Sequence, residues 1–140
     1  MIRQIEIATN GPACHEFTAE LSDWLTTIKA GQGLLTLLVR HTSASLLIQE
    51  NADPEVQIDL LAWLDRLAPP ADHPSMGWIT HRYEGPDDMP AHLKAAMLPS
   101  SLQIPVDGGR MMLGRWQGVY LVEHRRAPHA RSVVAMFQPA

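Results

Sequence analysis

Polar and apolar residues alternate near the start of the chain, where Ile5 and Ile7 flank Glu6 and follow Gln4. A period of two marks a half-buried strand, expected here over residues 2–8. Asn10-Gly11-Pro12 ends it with turn chemistry. The period then changes. Phe17, Leu21, Trp24, Leu25 and Ile28 share one face of a helix. Thr18 is the expected N-cap and Gly31 the stop. Gly33 to Val39 reads GLLTLLV, a short apolar run that suits a strand covered on both faces. His41-Thr42-Ser43 interrupts the run, and Leu46-Leu47-Ile48 resumes it. The pattern therefore predicts two strands, or one bent strand, with polar residues at the bend. Asp53-Pro54 is a helix start, because Asp caps a free N–H and Pro is tolerated at the first helical position. Val56, Leu60, Trp63, Leu64 and Leu67 repeat the helical spacing, and Pro69-Pro70 ends it.

Residues 70–90 are polar, rich in Pro and Gly, and lack any long period. A loop of this length in a compact domain is more often functional than idle. Pro90 opens a short helix that runs to about Leu98. Ser101–Val106, Val119–His124 and Ser132–Phe137 read as three further strands, with Asp107-Gly108-Gly109 as a hairpin turn. These elements predict an α+β fold: one domain over residues 1–140, a β-sandwich of about six to eight strands flanked by about three helices.

Composition narrows the function classes. With 140 residues, 46% apolar and 19% charged, the chain has the makeup of a globular domain rather than a disordered one. The net charge is −4, and no basic block exists beyond Arg125-Arg126. That argues against a nucleic-acid partner. A single cysteine, Cys14, excludes an intramolecular disulfide and a Cys-rich zinc site, fits a reducing compartment, and reads as structural. The first residues carry no apolar core of a signal peptide, and no apolar run reaches the ~20 residues that span a bilayer. The expectation is a soluble cytoplasmic protein with no membrane partner.

Seven histidines are many for this length. His81, Glu84, Asp87, Asp88 and His92 lie within one short segment. If the helix begins near Asp88, then Asp88 and His92 are one turn apart on the same face. A carboxylate beside an imidazole fixes its tautomer, which serves a general base or a metal site; a plain helix cap explains Asp88 equally. Thr42 and Ser43 beside His41 offer hydroxyls that bind phosphate or begin an ordinary turn. Glu50-Asn51-Ala52-Asp53 precedes a helix N-terminus, so it is either plain capping or an acidic site that needs a metal. Gly114-Arg115-Trp116-Gln117-Gly118 breaks the strand rhythm as a bulge with a packed Trp, or as an apolar wall carrying an amide. Neither a phosphate-binding glycine loop nor a hydrolase elbow is present. His15, His73 and His129 sit in loop-like contexts and read as bystanders.

Three segments together, HTSASLLIQENADP (41–54), HRYEGPDDMPAHLKAAML (81–98) and SLQIPVDGGRMMLGRWQG (101–118), resemble the YjbQ-like family, whose members are often labelled secondary thiamine-phosphate synthase. The resemblance runs over nearly the whole chain. Arg115 stands where that family usually has Thr, while Trp116 and Gln117 keep register. The resemblance implies a homotrimer with sites near the subunit interfaces. It implies that His41, Thr42, Ser43, Glu50, Asn51 and Asp53 converge with His81, Asp88, His92, Lys94 and Gln117. Of these, His41, His81, Asp88 and His92 are the expected catalytic groups, and the others the expected ligand-binding groups.

The leading functional expectation is a His/Asp/Lys site for an anionic, phosphorylated small molecule, with thiamine-phosphate synthesis as a weak activity. Departing negative charge would be met by Lys94, by protonated histidines, or by a divalent metal, Zn²⁺ or Mg²⁺, held by Asp53 or Asp88. The alternatives are a metal-dependent hydrolase or lyase with His41, His81 and His92 as ligands, and a non-catalytic metabolite-binding module.

Overall fold

The computed structural model describes residues 1–140. Strands β1 (Ile2–Asn10) and β2 (Ala13–Glu16) lead into helix α1 (Thr18–Thr27), then β3 (Gly33–Val39), β4 (Ala44–Glu50) and α2 (Pro54–Leu67). A single 3-10 turn (Pro74–Met76) precedes α3 (Asp88–Met97), and β5 (Ser101–Asp107), β6 (Arg110–Met111), β7 (Gln117–Glu123) and β8 (Pro128–Pro139) complete the chain. The strands form two antiparallel sheets, of order β1-β8-β3-β5-β6 and β2-β7-β4. This is the expected α+β sandwich.

Alternation explains the packing. Ile5 of β1, Leu35 and Leu37 of β3, Ile104 of β5 and Val133, Ala135 and Phe137 of β8 point inward from the larger sheet. Ala44 and Leu46 of β4 and Val119 and Leu121 of β7 meet them from the smaller one. Phe17, Leu21, Trp24 and Leu25 place α1 in the same core. β7 is the middle strand of its sheet and is buried from Gly118 to Glu123. Its other face meets α2, where Gln57 Nε2 donates to the Tyr120 hydroxyl at 2.8 Å. At its end β7 delivers Glu123 and then His124 and Arg125 to the polar side of the molecule.

Four local expectations need correction. Thr18 does not cap α1; Phe17 occupies that position, and the Thr18 hydroxyl instead donates to Glu16 and accepts from the Val119 N–H. His15 lies with Cys14 in β2, not in a loop, because β7 offers Ala13–Glu16 a pairing edge. Helix α3 begins at Asp88, two residues before Pro90. The apolar stripe of α2 is only partly covered: Leu64 is buried, while Trp63 is 52% exposed and Leu67 is also open. Asp53 does cap α2 as expected, accepting from the Glu55 N–H at 2.9 Å with Pro54 in the first turn.

The long segment before α3 is tied down by one side chain. Arg82 donates to the carbonyls of Ile79, Ala71 and Met76 at 2.9, 3.1 and 2.9 Å. Ala71, Met76 and Ile79 form a small apolar cluster beneath it, against Met89 and Leu93 of α3. No helix is long and apolar enough to cross a membrane.

Candidate metal centre

Helix α3 sets the geometry. Asp88 and His92 are four residues apart, so their side chains rise from one face. His92 Nε2 lies 3.3 Å from Asp88 Oδ2. His81, carried in by the loop that Arg82 holds, places its Nε2 2.7 Å from the same oxygen. Glu84 Oε2 stands 4.0 Å from His81 Nε2. Ligand atoms of His81, Glu84, Asp88 and His92 all lie within 4.8 Å of one another.

The hydrogen bonds behind these atoms fix their orientation. His92 Nδ1 is 3.0 Å from the Thr42 carbonyl, which can only accept, so Nδ1 carries a proton. In the neutral ring Nε2 is then a bare lone pair facing a carboxylate oxygen. Arg125 holds the other side of the loop, donating to Asp88 Oδ1 at 2.7 Å, to Asp87 Oδ2 at 3.0 Å and to the Glu84 carbonyl at 3.0 Å. Asp88 has a side chain only 3% exposed. Burial pushes its pKa up, but the hydrogen bond from His81 and the charges of His92 and Arg125 outweigh it and leave it below the usual carboxylate range. The His81 and Glu84 side chains are open to solvent, so one side of the cluster is accessible.

The other residues expected at a shared site are distributed differently. His41 Nε2 accepts the Ser132 N–H at 2.8 Å, so that nitrogen is engaged, and His41 is not part of the cluster; Glu84 stands there instead. Burial, followed by the Arg131 charge, lowers the His41 pKa. Thr42 contributes its carbonyl rather than its hydroxyl. The Ser43 hydroxyl accepts from buried Arg131 at 2.9 Å. Glu50, Asn51 and Asp53 lie at the opposite end of β4, about 20 Å away at the rise of a strand. There Asn51 Nδ2 donates to Glu16, and one buried Glu50 oxygen has no partner. Gln117 closes its own loop by accepting the Gly114 N–H at 2.7 Å. Arg115 covers the neighbouring Trp116, its guanidinium 4.7 Å from the ring centroid. Lys94 sits two residues beyond His92, on another face of α3, near Asp65.

Arg125 escaped the sequence reading. Its signal was visible as half of the only basic pair, Arg125-Arg126, but a partner 37 residues distant leaves no spacing to read.

The family described as "UPF0047 protein YjbQ-like" matches residues 3–140. The chain belongs to this family. A UPF0047 protein of Synechocystis, sll1880, is 45% identical over 91% of this chain and 84% of its own length. UPF0047 protein YjbQ of Escherichia coli O157:H7 is 39% identical over 97% and 96% of the two chains. Among solved structures, the YjbQ/UPF0047 protein of Clostridium acetobutylicum superposes with a TM-score of 0.83 at 28% identity, covering 99% of both chains. The conserved hypothetical protein TT1486 of Thermus thermophilus gives a TM-score of 0.83 at 32% identity over 97% of this chain and 99% of its own. None of these names states a reaction.

Proposed function

We propose that this YjbQ-like protein is a metal-dependent enzyme that acts on a small anionic, phosphorylated substrate. The observation that supports it is the close approach of His92 Nε2 to Asp88 Oδ2, 3.3 Å apart, with the other ring nitrogen already committed to the Thr42 carbonyl. Such a contact is repulsive unless a cation lies between them, and a proton or a metal ion meets that need. Two imidazoles and two carboxylates within 4.8 Å make a donor set with nitrogen, which favours Zn²⁺ over Mg²⁺. His81, Asp88 and His92, joined by Glu84, would hold the ion. When bound, it would polarise a phosphoryl oxygen or activate a water. The Thr42 carbonyl orients His92, and Arg125 orients Asp88, as outer partners of a metal site do. The exposed side at His81 and Glu84 admits the substrate.

The assembly in this reading is a homotrimer. Its support is the separation of the expected ligand-binding residues. Glu50, Asn51, Asp53 and Gln117 stand too far from His92 in one chain to share a small ligand with it, whereas a neighbouring copy can supply them. Large exposed apolar side chains, among them Trp63, Trp78 and Trp116, supply surface for such contacts. Sedimentation at micromolar concentration tests this, and a monomer would remove it.

The deciding experiment is elemental analysis of untagged protein beside a folded His81→Ala/His92→Ala variant, followed by turnover assays on phosphorylated metabolites. Thiamine-phosphate formation from its two phosphorylated halves is the first assay. Stoichiometric metal lost in the variant, with turnover lost alongside, is the expected result. Absence of metal uptake by the wild type, even with added Zn²⁺, would overturn the reading.

A further inference from the structure

A second polar site lies on another side of α3, and it uses none of the residues of the metal cluster. Lys94 is only 8% exposed, yet its one ionic partner is Asp65 of α2 at a long 3.5 Å. The Asp65 side chain is itself mostly in solvent. A nearly buried ammonium with so loose a counter-charge is under-compensated. Lys94 borders a cavity of about 290 Å³ whose walls include Pro12, Leu61 and Leu64. A smaller recess, also lined by Pro12, Asp65, Lys94 and His124, adjoins it and carries Asp87 and Arg126 on its other walls.

His124 supplies the second polar group. It is 3% exposed, and its Nε2 lies 2.8 Å from the buried Ser45 hydroxyl. Its Nδ1 makes no hydrogen bond within the chain. Burial, with the Lys94 charge next, lowers its pKa to about 4, so the ring is neutral at pH 7. In the tautomer whose Nε2 accepts from the Ser45 hydroxyl, the one ring proton sits on Nδ1, where a ligand can accept it. Glu123 also borders the cavity, but Arg131, Thr9 and the N–H groups of His124 and Arg125 take up its carboxylate. It presents no free charge.

We propose that this cavity binds a small monocarboxylate, its head on Lys94 Nζ and the His124 ring and its short apolar tail against Leu61, Leu64 and Pro12. In the larger cavity Lys94 is the one cation, and with one neutral donor it matches a single negative charge and falls short of a phosphate dianion. The walls are apolar where a tail would lie. Asp65 competes for the same ammonium and is displaced when the ligand carboxylate arrives.

The test is a titration of the intact 140-residue chain with butyrate, with inorganic phosphate as comparison, followed by thermal shift and calorimetry. Butyrate should raise the Tm of the wild type. Asp65→Asn, a change at an exposed side chain, should bind it several-fold more tightly. Lys94→Met should bind at least tenfold more weakly, and His81→Ala/His92→Ala should bind as the wild type does. That last arm separates this site from the metal cluster. Should Lys94→Met fail to fold, butyrate-induced shifts of the His124 ring nitrogens in the wild type carry the same information. No stabilisation of either wild type or Asp65→Asn in tens of millimolar butyrate would overturn the proposal. So would unchanged His124 signals, or protection by phosphate alone.

Discussion

His92 and Asp88 face each other across one turn of α3, His92 Nε2 3.3 Å from Asp88 Oδ2, while the Thr42 carbonyl holds an imidazole proton on the far nitrogen. Replacing Asp88 by Asn turns this contact into a donor–acceptor pair, which satisfies His92 without a cation. Zn²⁺ affinity should fall at least tenfold in Asp88→Asn, on the order of the losses seen when metal-site partners are removed. Competition against a chromophoric chelator measures it. In the wild type the affinity should also fall on acidification, since protons compete for the same lone pairs.

Arg125 binds three acceptors of the site loop with one planar fork. A lysine keeps the charge but cannot span Asp87, Asp88 and the Glu84 carbonyl together. Arg125→Lys should therefore lower metal affinity roughly 10- to 100-fold through a misaligned Asp88. Far-ultraviolet circular dichroism should be unchanged, and a chelator titration of the variant gives the shift.

What could be read from the sequence here follows from how local each device is. Asp53-Pro54 was legible because a cap and its N–H lie two residues apart. The Asp88–His92 pair was legible for a similar reason, as one helical turn sets it. The β2 strand was not, because Ala13–Glu16 has no alternation and exists by pairing with β7 more than a hundred residues later. The part played by His41 was equally hidden: its Nε2 is taken by the N–H of Ser132, across 91 positions. The apolar spacing of α2 correctly announced a helix, but spacing alone does not say that Trp63 stays half uncovered.

Glu123 and Arg131 form a buried ion pair at 2.6 Å, with both side chains almost fully enclosed. Burial alone would raise the Glu123 pKa; the hydrogen bonds from Arg131, Thr9 and the Arg125 N–H outweigh it and hold the carboxyl below its usual range. Removing one partner strands the other. Arg131→Met should cost about 3–5 kcal/mol in urea unfolding. Pairing it with Glu123→Gln should recover part of that loss, because the buried charge is then gone.

Arg82 makes its three carbonyl contacts within the segment that carries His81. Arg82→Met removes them and should cost about 1–3 kcal/mol, since the side chain is only partly buried. Limited proteolysis should then cut residues 72–85 faster than in the wild type. A weaker Zn²⁺ affinity should accompany it, as His81 loses its fixed position.

His124 makes stability depend on pH in a defined direction. Its pKa is near 6.5 when unfolded and about 4 in the fold, where burial and the Lys94 charge disfavour the imidazolium. Between those values the unfolded chain binds a proton that the folded one refuses, so unfolding is favoured as the pH falls. The contribution is fully present above about pH 6.5, fades on acidification, and is spent below about pH 4. Its size is on the order of 3 kcal/mol. His124→Gln keeps a polar group beside Ser45 but does not titrate. Urea midpoints across this window should therefore fall less steeply toward acid in His124→Gln than in the wild type. Parallel curves would show that the imidazole does not carry this part of the acid sensitivity.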